Sequence, residues 1–121
     1  MPVNRLTLND NHFIPDEIQE YVTYIAQCIK DAMPVTAIYL FGSYAKGNYR
    51  ENSDLDIYVV TPDKSKRMHD WYLEAASAFE RKIRMPIEIL VGYEDDFERR
   101  SKLINTLENE VAETGVSLYA N

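Results

Sequence analysis

The apolar positions of this chain change period several times, and each change marks an element. From Pro15 to Met33, the residues Ile18, Val22, Ile25, Ala26, Ile29 and Ala32 recur every three or four positions, which is the spacing of a helix with one buried stripe. Pro15 suits a first helical position, Asp16 and Glu17 suit the positive N-terminal end, and Pro34 stops the helix. Val35 to Phe41 is a short β-branched and aromatic run ended by Gly42, and it predicts a buried strand. Residues 42–53, rich in Gly, Ser and Asn, predict a connection with room for one helical turn. From Asp54 to Val60 the period is two. Leu55, Ile57 and Val59 point to one face of a strand, and Asp54, Asp56 and Tyr58 point to the other.

After the break at Thr61, Pro62 and Asp63, the residues Met68, Trp71, Tyr72, Ala75, Ala76, Phe79 and Ile83 predict a second amphipathic helix with Trp71 in the core. Pro86 opens a strand with Ile87, Ile89 and Val91 on one face, Glu88 and Leu90 on the other, and Gly92 at its end. Asp95 and Glu98 have capping-box spacing. The helix they would start carries Phe97, Leu103, Ile104, Leu107 and Val111 as far as Gly115, which makes the acidic run Glu94, Asp95, Asp96 an ordinary first turn. Val116 to Tyr119 predicts an edge strand. The order of elements is that of an α/β (α+β) sheet covered by helices. A chain of 121 residues has enough material for one core, so residues 1–121 are read as one domain.

Charge narrows the partners. The formal net charge of -7 repels polyanions, and no Lys/Arg cluster is large enough to reverse that over a duplex-sized surface, so bulk nucleic-acid binding is not expected. The N-terminal residues lack the apolar core of a signal peptide, and no apolar run approaches the roughly 20 residues that span a bilayer, which points to a cytoplasmic protein. Cys28, the single cysteine, lacks the spaced partners of a zinc site and reads as a small buried hydrophobe on the first helix.

Asp54 and Asp56 are unusual. Side by side on an apolar strand, two ionised carboxylates suffer desolvation and mutual repulsion unless something compensates. One answer is a wet sheet face; the other is a divalent metal, since two hard oxygen ligands on one strand face suit Mg²⁺ when phosphates and water complete its octahedron. Glu88 also interrupts an apolar strand and joins the same face if the two strands are neighbours. Three carboxylates could then hold a pair of Mg²⁺ ions about 3.5–4 Å apart for an in-line displacement at phosphorus. Such chemistry needs a phosphate cradle. Gly42 lets a backbone approach closely, the Ser43 hydroxyl and neighbouring N–H groups can donate to phosphate, and Lys46 can add counter-charge. Gly42 and Gly47 also have the glycine spacing of a P-loop, but Asn48 and Tyr49 stand where Lys and Ser/Thr are required.

The pattern Gly42-Ser43, then Asp54-x-Asp56, then Ile87-Glu88-Ile89 resembles the DNA polymerase β-type nucleotidyltransferase superfamily, and in size its minimal, single-domain branch. The resemblance runs from the helix at Pro15 to the tail Val116 to Tyr119. It implies a small mixed sheet with helices packed mainly on one face, and transfer of a nucleoside monophosphate, such as AMP from ATP, to a hydroxyl with release of pyrophosphate and with Mg²⁺. Carried over by position, Gly42 and Ser43 would hold the NTP phosphates, Asp54 and Asp56 the metals, and Glu88 would complete the metal site and help activate the acceptor. Ser53 would orient the loop, and Lys46 stands where many relatives have a basic residue. The third acid is often Asp, so Glu88 departs by one methylene. The resemblance further implies an acceptor site completed by another subunit: a helical HEPN-type toxin, neutralised by the attached AMP, or a second copy in a homo-oligomer. Two rival readings are a non-catalytic antitoxin or assembly subunit, and a small antibiotic-modifying transferase.

Other residues carry ordinary readings. His12 and His69 have no ligand spacing and read as surface or satisfied histidines. Among the nine tyrosines, Tyr44, Tyr49 and Tyr58 fall in or next to the proposed site, and Tyr58 is either a cleft wall or a partly buried strand residue. Arg99, Arg100 and Lys102 read as a solvated helix face.

Overall fold

The structure, a computed structural model, describes residues 14–121; His12 lies outside the described residues. Helix α1 (Asp16–Ala32) begins one residue later than predicted, with Pro15 at its N-cap, and ends where the Met33 N–H bonds the Ile29 carbonyl. It buries Ile18, Tyr21, Val22, Ile25, Ala26 and Ile29, while Ala32 is exposed. Cys28 is half-buried at the edge of the core. Strands β1 (Ala37–Phe41), β2 (Leu55–Thr61), β3 (Ile87–Tyr93) and β4 (Val116–Ala120) form one mixed sheet in the order β3-β2-β1-β4. β2 and β3 are parallel; β1 runs antiparallel to both β2 and β4. β4 is the edge strand that the C-terminal apolar run predicts.

Register decides what each face carries, because a slip of one residue would reverse every side chain. Ile38 lies opposite Val59, Leu40 opposite Ile57, and Ile57 beside Ile89. These residues pack with α1 and with Trp71 and Ala75 of α3 (Met68–Ala76) into the larger part of the core. Fully buried side chains such as Ile57 and Leu118 each contribute about 1.5–3 kcal/mol relative to exposure. On the opposite face, Ala37, Phe41, Tyr58 and Val60 form a smaller cluster with Phe97 of α4 (Glu94–Ser101) and Val111 of α5 (Leu107–Thr114). No helix among the described residues is long and apolar enough to cross a membrane.

Other elements also differ from the sequence expectation. The helix expected to reach Ile83 ends at Ala76, where the Ser77 hydroxyl and N–H both bond the Leu73 carbonyl and the Ala78 N–H bonds Ala75, tightening the last turn. The single C-terminal helix is two, α4 and α5. Asn105 at φ 71 breaks it, and Thr106 caps the second part by accepting from the Asn109 N–H at 3.0 Å. Leu103 and Ile104, counted on that helix by their spacing, are exposed on the connection, and Leu107 is exposed at the start of α5. The Asp95–Glu98 capping box does not form, since α4 starts at Glu94 without a side-chain cap and Asp95 pairs with Lys64.

Strand β3 continues through Gly92 to Tyr93. Gly92 serves close approach: a Cβ there would lie 2.3 Å from the Tyr58 hydroxyl. Tyr58 is therefore a buried strand residue rather than a cleft wall. Its hydroxyl donates to Glu108 Oε2 at 2.9 Å, and Glu108 Oε1 accepts from Arg100 Nε at 2.9 Å. Burial, and then that bond to a carboxylate, raises the phenol's pKa. This network ties α4 and α5 to the sheet. Tyr58→Phe should lower stability by about 1.5 kcal/mol, read by urea denaturation, with no change in secondary structure.

Candidate active site

At the end of β1 the chain turns through Gly42 at φ 78 and ψ -151 into the one-turn helix α2 (Ser43–Lys46), the single turn that the connection has room for. The Lys46 N–H bonds the Gly42 carbonyl at 3.1 Å, and Gly47, left-handed at φ 81, ends the turn. Tyr44 is buried and stacks on Tyr49 with ring centroids 4.5 Å apart. The return loop is fastened at Ser53, whose Oγ accepts from the Arg50 N–H at 2.7 Å and whose N–H bonds the Arg50 carbonyl at 3.0 Å. Asp54 follows directly, one residue ahead of β2.

Asp56 lies opposite Phe41 on β1 and beside Glu88 on β3. Because β2 and β3 are parallel and in register, the acid faces of the two strands coincide. One carboxylate oxygen from each of Asp54, Asp56 and Glu88 lies within 4.8 Å of the others. Gly42 makes room for the middle one: a Cβ at this position would sit 2.3 Å from Asp56 Oδ2. Burial, then repulsion from Glu88, Asp54 and Glu110, pushes the Asp56 carboxyl up to about 6. Three oxygen donors with unrelieved negative charge are the donor set of a hard divalent cation, so the residues present fit such an ion.

Lys46 is not a free counter-charge, since its ammonium pairs with Glu110 Oε1 of α5 at 3.4 Å. Glu110 is the residue near this site that sequence reasoning misses. It sits in an acidic helix with no local signal, and the packing of α5 on the sheet delivers it. His69 is exposed, stacks on Tyr72 and is not part of the acid cluster. Arg99 pairs with Asp96 at the surface, and the half-exposed Arg100 pairs with the mostly buried Glu108.

The raised Asp56 pKa sets a stability profile. With the folded value near 6 and the unfolded value near 3.8, the native state binds more protons than the unfolded state between them. The contribution of Asp56 to the stability of the metal-free protein therefore falls as pH rises from about 4 to about 6, then levels. Urea melts in chelator, compared with Asp56→Asn, should show this fall in the wild-type chain and its loss in the variant.

The nucleotidyltransferase-domain family model matches residues 22–113. The chain belongs to that family. A protein of Methanocaldococcus jannaschii, named as a candidate protein adenylyltransferase, is 32% identical over 74 residues, covering 61% of this chain and 74% of that one. Protein adenylyltransferase MntA of Shewanella oneidensis is 40% identical over 50 residues, which span 40% of this chain and 36% of MntA. Among solved structures, a candidate nucleotidyltransferase of Sulfolobus solfataricus superposes with TM-score 0.57 at 21% identity over 80% of this chain and 75% of that one, a likeness of fold. A chain from a variant of the toxin–antitoxin complex MntA–HpeT superposes with TM-score 0.51 at 25% identity, covering 80% and 70%. This nucleotidyltransferase thus has the mixed α/β sheet of its structural neighbours, and it is an enzyme of nucleotidyl transfer.

Proposed function

We propose that this nucleotidyltransferase moves AMP from ATP to a hydroxyl of a protein partner, a helical HEPN-type toxin that the modification neutralises. The observation that carries the chemistry is the meeting of Asp54, Asp56 and Glu88 within 4.8 Å beside Gly42. Two relatives named for protein adenylyl transfer, and the likeness to the MntA–HpeT complex, support the acceptor class.

Asp54, Asp56 and Glu88 would hold Mg²⁺, which when bound supplies positive charge to the phosphate oxygens and acidifies a neighbouring hydroxyl. The bare backbone at Gly42 admits the phosphates, the Ser43 hydroxyl donates to them, and Lys46 turns from Glu110 toward their charge. Ser53 keeps the loop that delivers Asp54 in place. Glu88, exposed on its strand, takes the proton of the acceptor hydroxyl. That oxygen bonds to the α-phosphorus as the α-phosphorus–oxygen bond to pyrophosphate breaks, and pyrophosphate leaves with the electron pair.

The test is to incubate the protein with Mg²⁺, source-organism lysate and ATP labelled at either the α or the γ phosphate. The reading predicts one labelled protein, from α-label alone, that mass spectrometry identifies as a helical toxin carrying AMP. Label from the γ position, or on nucleic acid or a small molecule, would overturn it.

A further inference from the structure

Between α3 and β3 the chain carries Arg81, Lys82 and Arg84, all exposed. Other cations of this acidic protein, such as Lys64, Lys66 and Arg100, sit against carboxylates. Arg81, Lys82 and Arg84 have no ion-pair partner among the described residues. The segment has no helix or strand, yet α1 holds it at several points. The Tyr21 hydroxyl donates to the Glu80 carbonyl at 3.4 Å and accepts from the Lys82 N–H at 3.1 Å, and the Tyr24 hydroxyl accepts from the Glu80 N–H at 3.0 Å. The Lys82 ammonium lies 3.8 Å from the centre of the Tyr24 ring.

These three cations help line an open cavity of about 540 Å³ that extends to Pro86. The Pro86 carbonyl accepts from the N–H of Leu55, the residue between Asp54 and Asp56, at 2.9 Å, and Glu88 follows two residues later. A fixed, net positive loop, in which Glu80 stands beside the three cations and Glu17 and Glu20 of α1 lie near Lys82, thus borders the strand ends that carry the three acids. The excess of positive charge on this loop favours an anion beside it. A long polyanion would also meet the surrounding surface of a chain with net charge -7, whereas a short acidic run would meet only the loop.

We infer that the loop from Arg81 to Arg84 docks a short acidic segment of the acceptor protein and so brings the acceptor hydroxyl to Glu88. The inference rests on the protein-acceptor reading above, and its test separates docking from chemistry. Fluorescence anisotropy would follow a labelled peptide of alternating Glu and Tyr on the wild-type chain, on Arg81→Glu/Arg84→Glu, on the milder Arg81→Gln/Arg84→Gln, and on Asp56→Asn. A lysine–tyrosine peptide and a uridine oligonucleotide serve as controls, and circular dichroism confirms that each variant is folded. The expected result is salt-sensitive binding of the acidic peptide, alike in wild type and Asp56→Asn. It should weaken about tenfold or more on charge reversal, and by less in the glutamine variant. Calorimetric binding of Mg²⁺-ATP should be unchanged by the reversal. No binding of the acidic peptide, equal binding by the reversed variant, or tighter binding of the oligonucleotide would overturn the inference. Loss of labelled transfer by the wild-type chain, with peptide binding intact, would instead count against the proposed reaction.

Discussion

Asp56→Asn is expected to lower nucleotidyl transfer by about 10²–10³-fold while leaving the fold intact. Asp56 stands between the other two acids, beside Glu88 in register and two residues from Asp54, so losing its charge removes the centre of the proposed ligand set. The same change removes the burial cost of a carboxylate and the repulsion that together push this carboxyl up to about 6. The metal-free variant should therefore melt higher than the wild type at neutral pH. A variant that transfers at the wild-type rate would remove Asp56 from the reaction; one that is inactive because it is unfolded would show it in the melt.

Gly42→Ala is expected to damage both stability and turnover. At φ 78 and ψ -151 the backbone occupies a region essentially reserved for glycine, and a side chain there costs about 1–3 kcal/mol. The added methyl would also overlap Asp56 Oδ2 at 2.3 Å, so the carboxylate must move. Displacement of about 1 Å can cost about 10²-fold in rate. Steady-state kinetics with a thermal melt should show transfer falling further than the stability loss explains. Ser43→Ala, which removes one proposed phosphate donor and leaves the turn unstrained, should cost less.

Much of this arrangement is legible in the sequence, because strand parity is a local property. The alternation of Leu55, Ile57 and Val59 against Asp54, Asp56 and Tyr58 is enough to place the acids on one face, and the same parity places Glu88 once its strand neighbours the first. Gly42 likewise marks the end of β1, and the polar connection after it has room for the short turn at α2. Long-range facts are not legible in this way. Lys46 meets Glu110 because α5 packs over the sheet, and nothing near either residue signals that. Leu103, Ile104 and Leu107 keep helical spacing across a connection that Asn105 and Thr106 break, so period alone places exposed residues inside. Phe79 is buried as its spacing suggests, but from irregular chain beyond the end of α3.

The most direct test of the three-acid site is a titration of Mn²⁺, as a paramagnetic stand-in for Mg²⁺, in the presence of ATP, followed by electron paramagnetic resonance on the wild-type chain and on Asp54→Asn, Asp56→Asn and Glu88→Gln. The account predicts that the wild-type protein with ATP binds the ion and that each variant weakens binding by about tenfold or more. Wild-type affinity retained in all three variants would contradict it.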